Sequence, residues 1–307
     1  MYASNMNQSF HHIPVLLPQT ISALNVKPNG RYVDGTLGGG GHSEAILEAS
    51  SPNGSVICID RDQQAIQAAT ERLSRFGDRF TVHHGSFSQM ASFVEGSVDG
   101  ILLDLGVSSH QLDEPTRGFS FSNDGPVDMR MNQQQEKTAA MLLDELTEEQ
   151  LANILYQYGQ EPRSRRIARK IVEGRPWTST KKLADCIRRA SGYKNSKKHP
   201  ATKSFQAIRI AVNDELNQLH QALNTAFALL KKGGRMAIIS FHSIEDKIVK
   251  QSFRTAAAIG TPRDAYGHPI VAPIGRQIFP KGIDGKKNDP TNPRARSARL
   301  RVFEKTT

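Results

Sequence analysis

The chain has 307 residues, of which 37% are hydrophobic and 23% are charged, a composition typical of a globular protein with a polar surface. No stretch approaches the roughly 18 consecutive apolar residues that a transmembrane helix needs, and the polar N-terminal segment lacks the apolar core of a secretory signal. The two cysteines, Cys58 and Cys186, can form neither a disulfide framework nor a CxxC metal site, so we expect a cytoplasmic protein.

The positive charge is concentrated in one part of the chain. The formal net charge is +10, which favours a polyanionic partner such as a nucleic acid. Residues 161–210 hold 15 Lys and Arg against 3 Asp and Glu, so this segment accounts for the whole excess. Composition alone also allows an ordinary solvated basic surface, and the two interpretations stay open at this point.

The first hundred residues alternate short apolar runs with helical spacing, which is typical of an α/β fold with a parallel sheet. Helices are predicted at residues 42–49 and 63–76. The predicted strands cover residues 31–35, 55–60, 80–84 and 98–104.

The alternation stops after Asp104 and resumes about a hundred residues later. Residues 106–132 have no periodicity and predict a long loop, which in a compact domain is often functional. Helices follow at 147–158, 163–173 and 180–190, then one long helix at 204–230, a strand at 235–241, a helix at 244–253 and a last strand at 298–304. We therefore predict an α/β domain made of residues 1–111 and 203–307, with residues 112–202 inserted as a basic helical domain.

A glycine-rich turn, DGTLGGGGH at residues 34–42, connects the first predicted strand to the first helix. Glycines in such a turn let the backbone approach a nucleotide closely. No Gly-Lys-Ser/Thr follows, which argues against a phosphate-binding P-loop. Asp60 ends the second strand, where its carboxylate can accept both hydrogens of a ribose diol. This contact is equally expected for NAD and for S-adenosylmethionine.

Two further strand ends carry candidate site residues. Phe87 follows the third strand and either stacks on an adenine or packs in the core. Asp104 ends the fourth strand, facing the crevice where α/β folds bind ligands, or else it caps a turn. His242 follows the fifth strand and is either structural or a group that holds the substrate.

Motifs spread from His12 to Phe303 carry a family resemblance. They are HIPVLL (12–17), DGTLGGGGHS (34–43), DRD (60–62), LLDLGVSS (102–109), RGFSF (117–121), DGPVDMRM (124–131), HPATKSFQAIR (199–209), SFHSIED (240–246) and NPRARSA (292–298). Together they closely resemble the bacterial RsmH (MraW) family over nearly the whole chain. The resemblance implies a Rossmann-like class I methyltransferase sheet with an inserted helical domain.

The resemblance also implies an activity and a set of contacts. The family uses S-adenosylmethionine to methylate the exocyclic N4 of a cytidine in the decoding region of 16S ribosomal RNA, within the small ribosomal subunit. No metal is expected, since no cluster of His, Cys or carboxylate residues has ligand spacing. The family's cofactor contacts fall on Gly40, Gly41, His42, Asp60, Phe87, Asp104 and Gln111.

The catalytic residues are less directly indicated. Many amino-methyltransferases carry an Asn/Asp-Pro-Pro-aromatic motif after the fourth strand, but this chain has Asp104-Leu105-Gly106-Val107. Asp104 is the first candidate for accepting hydrogen bonds from the target amine, with cofactor binding alone as the alternative. His242 is the second candidate, for holding the base or the backbone of the substrate. Phe119 and Phe121 either stack on the target base or pack as a lid. Phosphate contacts are assigned to Arg163, Arg165, Arg166, Lys197, Lys198 and Lys203.

Two other functions fit part of the pattern. An NAD-dependent oxidoreductase could use the same fold and the same ribose contact, but it leaves the basic segment unexplained. A non-catalytic assembly factor could bind ribosomal RNA with a vestigial pocket. A homo-oligomer is compatible with the sequence, and no membrane partner is expected.

Overall fold

The structure is a computed structural model that describes residues 14–193 and 199–307. These residues form two compact units. The first unit contains the described residues up to Gly106 and those from Gln221 to Thr307. The second unit runs from Val107 to His220. No helix among the described residues has both the length and the apolar character needed to cross a membrane.

The first unit is built on an eight-stranded sheet in the order β3-β2-β1-β4-β5-β8-β6, with β7 paired to β8. Strands β1 to β5 are parallel, whereas β8 runs antiparallel to β5. The strands are β1 Arg31–Asp34, β2 Ser55–Asp60, β3 Phe80–His84, β4 Val98–Asp104, β5 Leu230–Ser240, β6 Gly275–Gln277, β7 Ile283–Asp284 and β8 Arg299–Lys305.

The helices occupy both units, and α11 is the segment in which the chain passes from the second unit back to the first. They are α1 Leu17–Leu24, α2 Gly41–Ala49, α3 Gln63–Leu73, α4 Met90–Phe93, α5 Ser109–Asp113, α6 Ala139–Glu145, α7 Glu148–Gly159, α8 Ser164–Glu173, α9 Thr180–Ser191, α10 Thr202–Asn213, α11 Glu215–Leu229, α12 Ser243–Ala256 and α13 Gly285–Asn288.

The central strands are buried along almost their whole length. Val56 to Ile59 of β2 and Ile101 to Leu103 of β4 are all buried, as expected for parallel strands covered by helices on both faces. Because β1 to β5 are parallel, their carboxyl ends lie along one edge of the sheet. The strand order reverses between β1 and β4, and α/β folds bind ligands in the crevice at such a switch point.

The second unit is helical and has its own hydrophobic core. Helix α7 packs against α8 and α10, and α8 packs against α9. Fully buried aliphatic side chains from α7, α8 and α9 meet in this core: Leu151, Leu155, Ile167, Ile171, Leu183 and Ile187.

The α/β fold class predicted from the sequence is confirmed, but two details differ. The single helix predicted at 204–230 is wrong: α10 ends at Asn213, and Asp214 adopts a left-handed conformation (φ 49°) before α11 begins. Asp tolerates this conformation better than most residues, and Arg209 pairs with Glu215 across the break at 2.7 Å. The helical unit also extends beyond the predicted 112–202, because Phe205 and Ile208 of α10 are buried in its core.

Candidate functional site

The glycine-rich turn lies between the end of β1 and the start of α2, at the carboxyl edge of the sheet. Gly40 has a positive φ of 76°, a conformation that side-chain-bearing residues rarely adopt, and a Cβ there would lie 3.1 Å from Ala69 Cβ. A Cβ on Gly41 would collide with the ring of Pro14. The backbone geometry and the packing therefore both require glycine at this turn.

Asp60, at the end of β2, fastens the turn to the sheet. Its Oδ2 accepts a hydrogen bond from Gly38 N at 2.8 Å, and its Oδ1 accepts one from Asp62 N at 2.9 Å. The pKa of this carboxyl is raised, chiefly by burial, although the two hydrogen bonds act to lower it. Since each carboxylate oxygen has a second lone pair, Asp60 can hold the turn and still accept hydrogens from a ligand.

A buried network next to the turn was not predicted from the sequence. Asp34 is fully buried and accepts a hydrogen bond from Ser43 Oγ at 2.7 Å and another from Thr36 N at 3.1 Å. Thr36 Oγ1 in turn accepts a hydrogen bond from Asp104 N at 2.6 Å. Burial raises the pKa of the Asp34 carboxyl. The network fixes the backbone at the end of β4 relative to the end of β1.

His42 and Asp104 face each other in this network. His42 is 6% exposed, and its Nε2 lies 3.6 Å from Asp104 Oδ2. Both ring nitrogens of His42, and the buried Oδ1 of Asp104, make no hydrogen bond to any described residue. Because buried polar groups are rarely left without a partner, these three atoms indicate where a polar ligand binds. The switch point is therefore a candidate site for a ligand that carries both hydrogen-bond donors and acceptors.

Phe87 lies beside the turn, immediately after β3. The ring is 8% exposed, and the Arg61 guanidinium carbon lies 5.8 Å from its centroid. A Cβ on Gly35 would lie 3.0 Å from Phe87 Cβ, so the aromatic residue and the turn are in close contact. This position suits both of the expected roles, stacking on an adenine and packing in the core.

His242 sits at the start of α12, one strand further along the edge. Its Nδ1 accepts a hydrogen bond from Glu245 N at 3.4 Å, and its Nε2 lies 3.0 Å from Glu245 Oε1, although not in hydrogen-bonding orientation. The imidazole thus caps the first turn of the helix. This geometry favours the structural alternative over direct catalysis.

The remaining predicted residues belong to the second unit. Gln111 is 5% exposed in α5, where its side-chain oxygen accepts a hydrogen bond from Ser108 N at 3.0 Å. Phe119 is buried in the core of this unit, and Phe121 packs edge-on against Phe205, which favours packing over base stacking.

The predicted phosphate-binding residues are only partly covered by the structure. Arg163, Arg165 and Arg166 lie at the start of α8, and Lys203 Nζ donates a hydrogen bond to Gln160 O at 2.9 Å. Lys197 and Lys198 lie outside the described residues. No group of three or more His, Cys, Asp or Glu residues capable of holding a metal ion occurs within residues 14–193 and 199–307.

Comparisons with known proteins identify relatives over the full length of the chain. A protein named ribosomal RNA small subunit methyltransferase H, from Symbiobacterium thermophilum, is 45% identical over 97% of each chain. A protein of the same name from Shewanella halifaxensis is 46% identical over 98% of each chain. Among solved structures, an rRNA methylase from Streptococcus thermophilus is 11% identical and has a TM-score of 0.40, covering 94% of this chain and 95% of that one.

The family assignment rests on the sequence match. The model of the MraW methylase family matches residues 9–306. This match favours methyl transfer over the hydride transfer of an NAD-dependent oxidoreductase. It confirms the predicted Rossmann-like methyltransferase fold. It also confirms the predicted cofactor, S-adenosylmethionine. The chain belongs to the MraW methylase family.

Proposed function

We propose that this protein transfers a methyl group from S-adenosylmethionine to the exocyclic N4 of a cytidine in the decoding region of 16S ribosomal RNA. The relatives at 45% and 46% identity are named for methylation of the small-subunit RNA, which supports the substrate class. The choice of N4 and of the decoding region rests on the sequence resemblance. The observation that carries the chemistry is the pair formed by buried His42 and half-buried Asp104 beside the glycine turn.

The cofactor would be held by residues along the carboxyl edge of the sheet. The turn backbone at Gly40, Gly41 and His42 would approach it closely, while Asp60 would accept hydrogens from the ribose hydroxyls. Phe87 would stack on the adenine. Gln111 is proposed as a contact on the resemblance alone. When bound, the cofactor supplies a methyl group on an electrophilic sulfonium.

Asp104 is proposed as the residue that acts on the target amine. The N4 of cytosine is a weak nucleophile because its lone pair is delocalised into the ring, so orientation supplies much of the rate enhancement. Oδ1 of Asp104 is buried without a hydrogen-bond partner among the described residues, and it can accept a hydrogen from the amine. As the nitrogen becomes tetrahedral, the same oxygen can take the proton that the product must lose.

His42 and Thr36 would keep Asp104 in position. The His42 imidazole lies next to Oδ2, and the Thr36 hydroxyl accepts the Asp104 backbone hydrogen. His242 is kept as the second candidate, for holding the base or the RNA backbone, although its imidazole also caps α12.

The second unit is proposed as the RNA-recognition domain. Its basic residues Arg163, Arg165, Arg166 and Lys203, together with Lys197 and Lys198, would contact phosphates and give binding a strong salt dependence. An enzyme that acts on a base must also receive that base unstacked, so RNA contacts must hold the folded substrate while the cytosine enters the pocket.

A labelled-methyl assay tests the function. Small subunits from cells lacking this activity should accept label from S-adenosylmethionine, whereas subunits already methylated should not. Naked 16S RNA in parallel shows whether the folded particle is needed. Binding of S-adenosylmethionine and of subunits without any label transfer would instead identify a non-catalytic assembly factor and contradict the proposal.

A further inference from the structure

A basic groove lies between α7 and α8 in the second unit. It has a cavity volume of about 610 Å³ and is open to solvent. The side chains that matter for its chemistry come from the last two turns of α7 and the first turn of α8: Asn153, Tyr156, Gln157, Arg163, Arg165 and Arg166. The groove thus combines one aromatic ring with three guanidinium groups.

The side chain of Tyr156 lies on the solvent-exposed face of α7, outside the hydrophobic core. Its side chain is 64% exposed, although α7 buries Leu151 and Leu155 on its other face. Its neighbours on the exposed face, Asn153 and Gln157, are polar and exposed as well. A large ring in this position contributes little to the core, so its face is available to a ligand.

The charges at the groove are poorly neutralised. Arg165 and Arg166 are exposed and form neither an ion pair nor a hydrogen bond with a described residue. Further along the same helix, Arg169 and Lys170 both pair with Glu173. The contrast shows that the unpaired cations are concentrated at the groove end of α8.

The buried carboxylate of Glu161, just before Arg163 in the sequence, is engaged in hydrogen bonds and does not line the groove. Glu161 is 1% exposed, and its Oε1 accepts hydrogen bonds from Arg163 N at 3.0 Å and from the Tyr193 hydroxyl at 3.1 Å. The Arg163 guanidinium lies over the Tyr193 ring, 4.3 Å from its centroid. No Asp or Glu is among the described residues that line the groove, so the field there is positive.

We propose that this groove binds an unpaired stretch of RNA, with one base stacked on Tyr156 and the adjoining phosphates held by Arg165 and Arg166. Bases of a duplex are stacked on one another and offer no free face, whereas an unpaired base does. The inference rests on the proposed function, because that function supplies the RNA. Stacking on Tyr156 would distinguish single-stranded RNA from duplex RNA, which phosphate contacts alone cannot do.

Substitution of the aromatic residue tests the stacking. In a fluorescence-anisotropy titration with a short single-stranded RNA, Tyr156→Ala should weaken binding roughly 5- to 150-fold, the range for loss of one stacked base. Tyr156→Phe keeps the ring and should bind within about twofold of the unchanged protein, since stacking uses the ring face. Tyr266→Ala removes an even more exposed tyrosine (87%) from the first unit and should have no effect.

The same titration with the oligonucleotide annealed to its complement completes the test. Binding of the duplex should be insensitive to Tyr156→Ala, because no base face is offered. Equal losses for single strand and duplex, or no loss for either, would overturn the proposal. An acidic peptide that displaces the RNA, and that binds more weakly to Tyr156→Ala, would assign the groove to a protein partner. This result would also overturn the proposal.

The arginines give an independent readout. Arg165→Gln combined with Arg166→Gln should reduce the slope of log affinity against log salt by about 1.4 for single-stranded RNA, two phosphates' worth. Arg188→Gln, which removes an arginine paired with Asp185, is the matched control and should leave the slope unchanged. An unchanged slope in the double variant would contradict phosphate binding at the groove.

These outcomes are separable from a failure of the proposed function. S-adenosylmethionine binding and the turnover number at saturating subunits should be unaffected by Tyr156→Ala, while the KM for subunits rises. If label transfer is absent from the unchanged protein, the proposed function fails, yet the oligonucleotide titrations still report on the groove.

Discussion

The two units place their candidate functional polar groups in opposite environments. In the first, Asp34 is fully buried and His42 is 6% exposed, so the polar groups lie where water is excluded. In the second, Arg165 and Arg166 are exposed to solvent. Buried groups interact strongly over short distances and need exact partners, whereas exposed charges act over about 10 Å and are screened by salt. The first arrangement suits bond-making on one atom, and the second suits capture of a large polyanion.

Among the substitutions predicted to have an effect, the one at Asp104 in the first unit should reduce activity most. Asp104→Asn removes the proposed proton acceptor from the candidate site, so turnover at saturating cofactor should fall by at least roughly 100-fold. Turnover is measured by label transfer, and cofactor affinity is measured separately by calorimetry.

The control for this substitution lies on the same strand. Asp99→Asn changes a carboxylate at the opposite end of β4, where it pairs with Lys231 at 2.8 Å, and it should leave turnover nearly unchanged. Near-normal turnover in Asp104→Asn at saturating cofactor would remove the acceptor role and leave Asp104 a cofactor contact.

A second prediction concerns the stability of the buried network. Burial raises the pKa of Asp34 above its ordinary value of 3.8, so the folded state holds this proton to a higher pH than the unfolded state. Stability from this group is therefore greatest below 3.8 and is lost as the pH rises through the raised pKa. Asn at position 34 does not titrate.

Urea unfolding at a series of pH values measures this effect. The free energy of unfolding of the unchanged protein, relative to Asp34→Asn, should fall as the pH rises from about 4 and then level off. A difference that stays constant or grows with pH would show that Asp34 is not destabilised by burial.

The smallest expected effect is a difference in reactivity between the one cysteine of the first unit and the one cysteine of the second. Burial raises the pKa of both thiols, but Cys58 of β2 is fully buried whereas Cys186 of α9 is only half-buried. With a thiol-specific disulfide reagent, the native protein should show one reacting thiol, and Cys186→Ser should show none until denaturant is added. Two fast thiols in the native protein would mean that the sheet of the first unit opens readily.

The sequence predicted the parts of the fold that depend on local pattern. The strand ends at Asp60 and Asp104 followed from apolar runs bounded by polar residues, and parallel pairing then brought them to one edge. The break at Asp214 could not be predicted, because the apolar spacing continues through it and only the left-handed backbone reveals the turn.

The sequence predicted which residues form the candidate site better than it predicted the hydrogen bonds between them. Motif resemblance singled out the glycine turn, Asp60 and Asp104, but the bond from Asp104 N to Thr36 Oγ1 links residues 68 positions apart in sequence. The signal that could have found this bond was the pair of hydroxyl residues, Thr36 and Ser43, on either side of the glycines. The exposure of Tyr156 was equally hidden, because a tyrosine next to Leu155 fits helical core spacing as well as a surface.

Identification of the methylated nucleoside is the most direct test of the proposed methylation of cytidine N4 in 16S ribosomal RNA. Small subunits lacking the modification are incubated with the protein and labelled S-adenosylmethionine, and their RNA is digested to nucleosides for mass spectrometry. Label is expected in N4-methylcytidine from a single position of 16S RNA, and no label is expected with Asp104→Asn. Label in a ring-methylated or ribose-methylated nucleoside, or in the large-subunit RNA, would contradict the proposal.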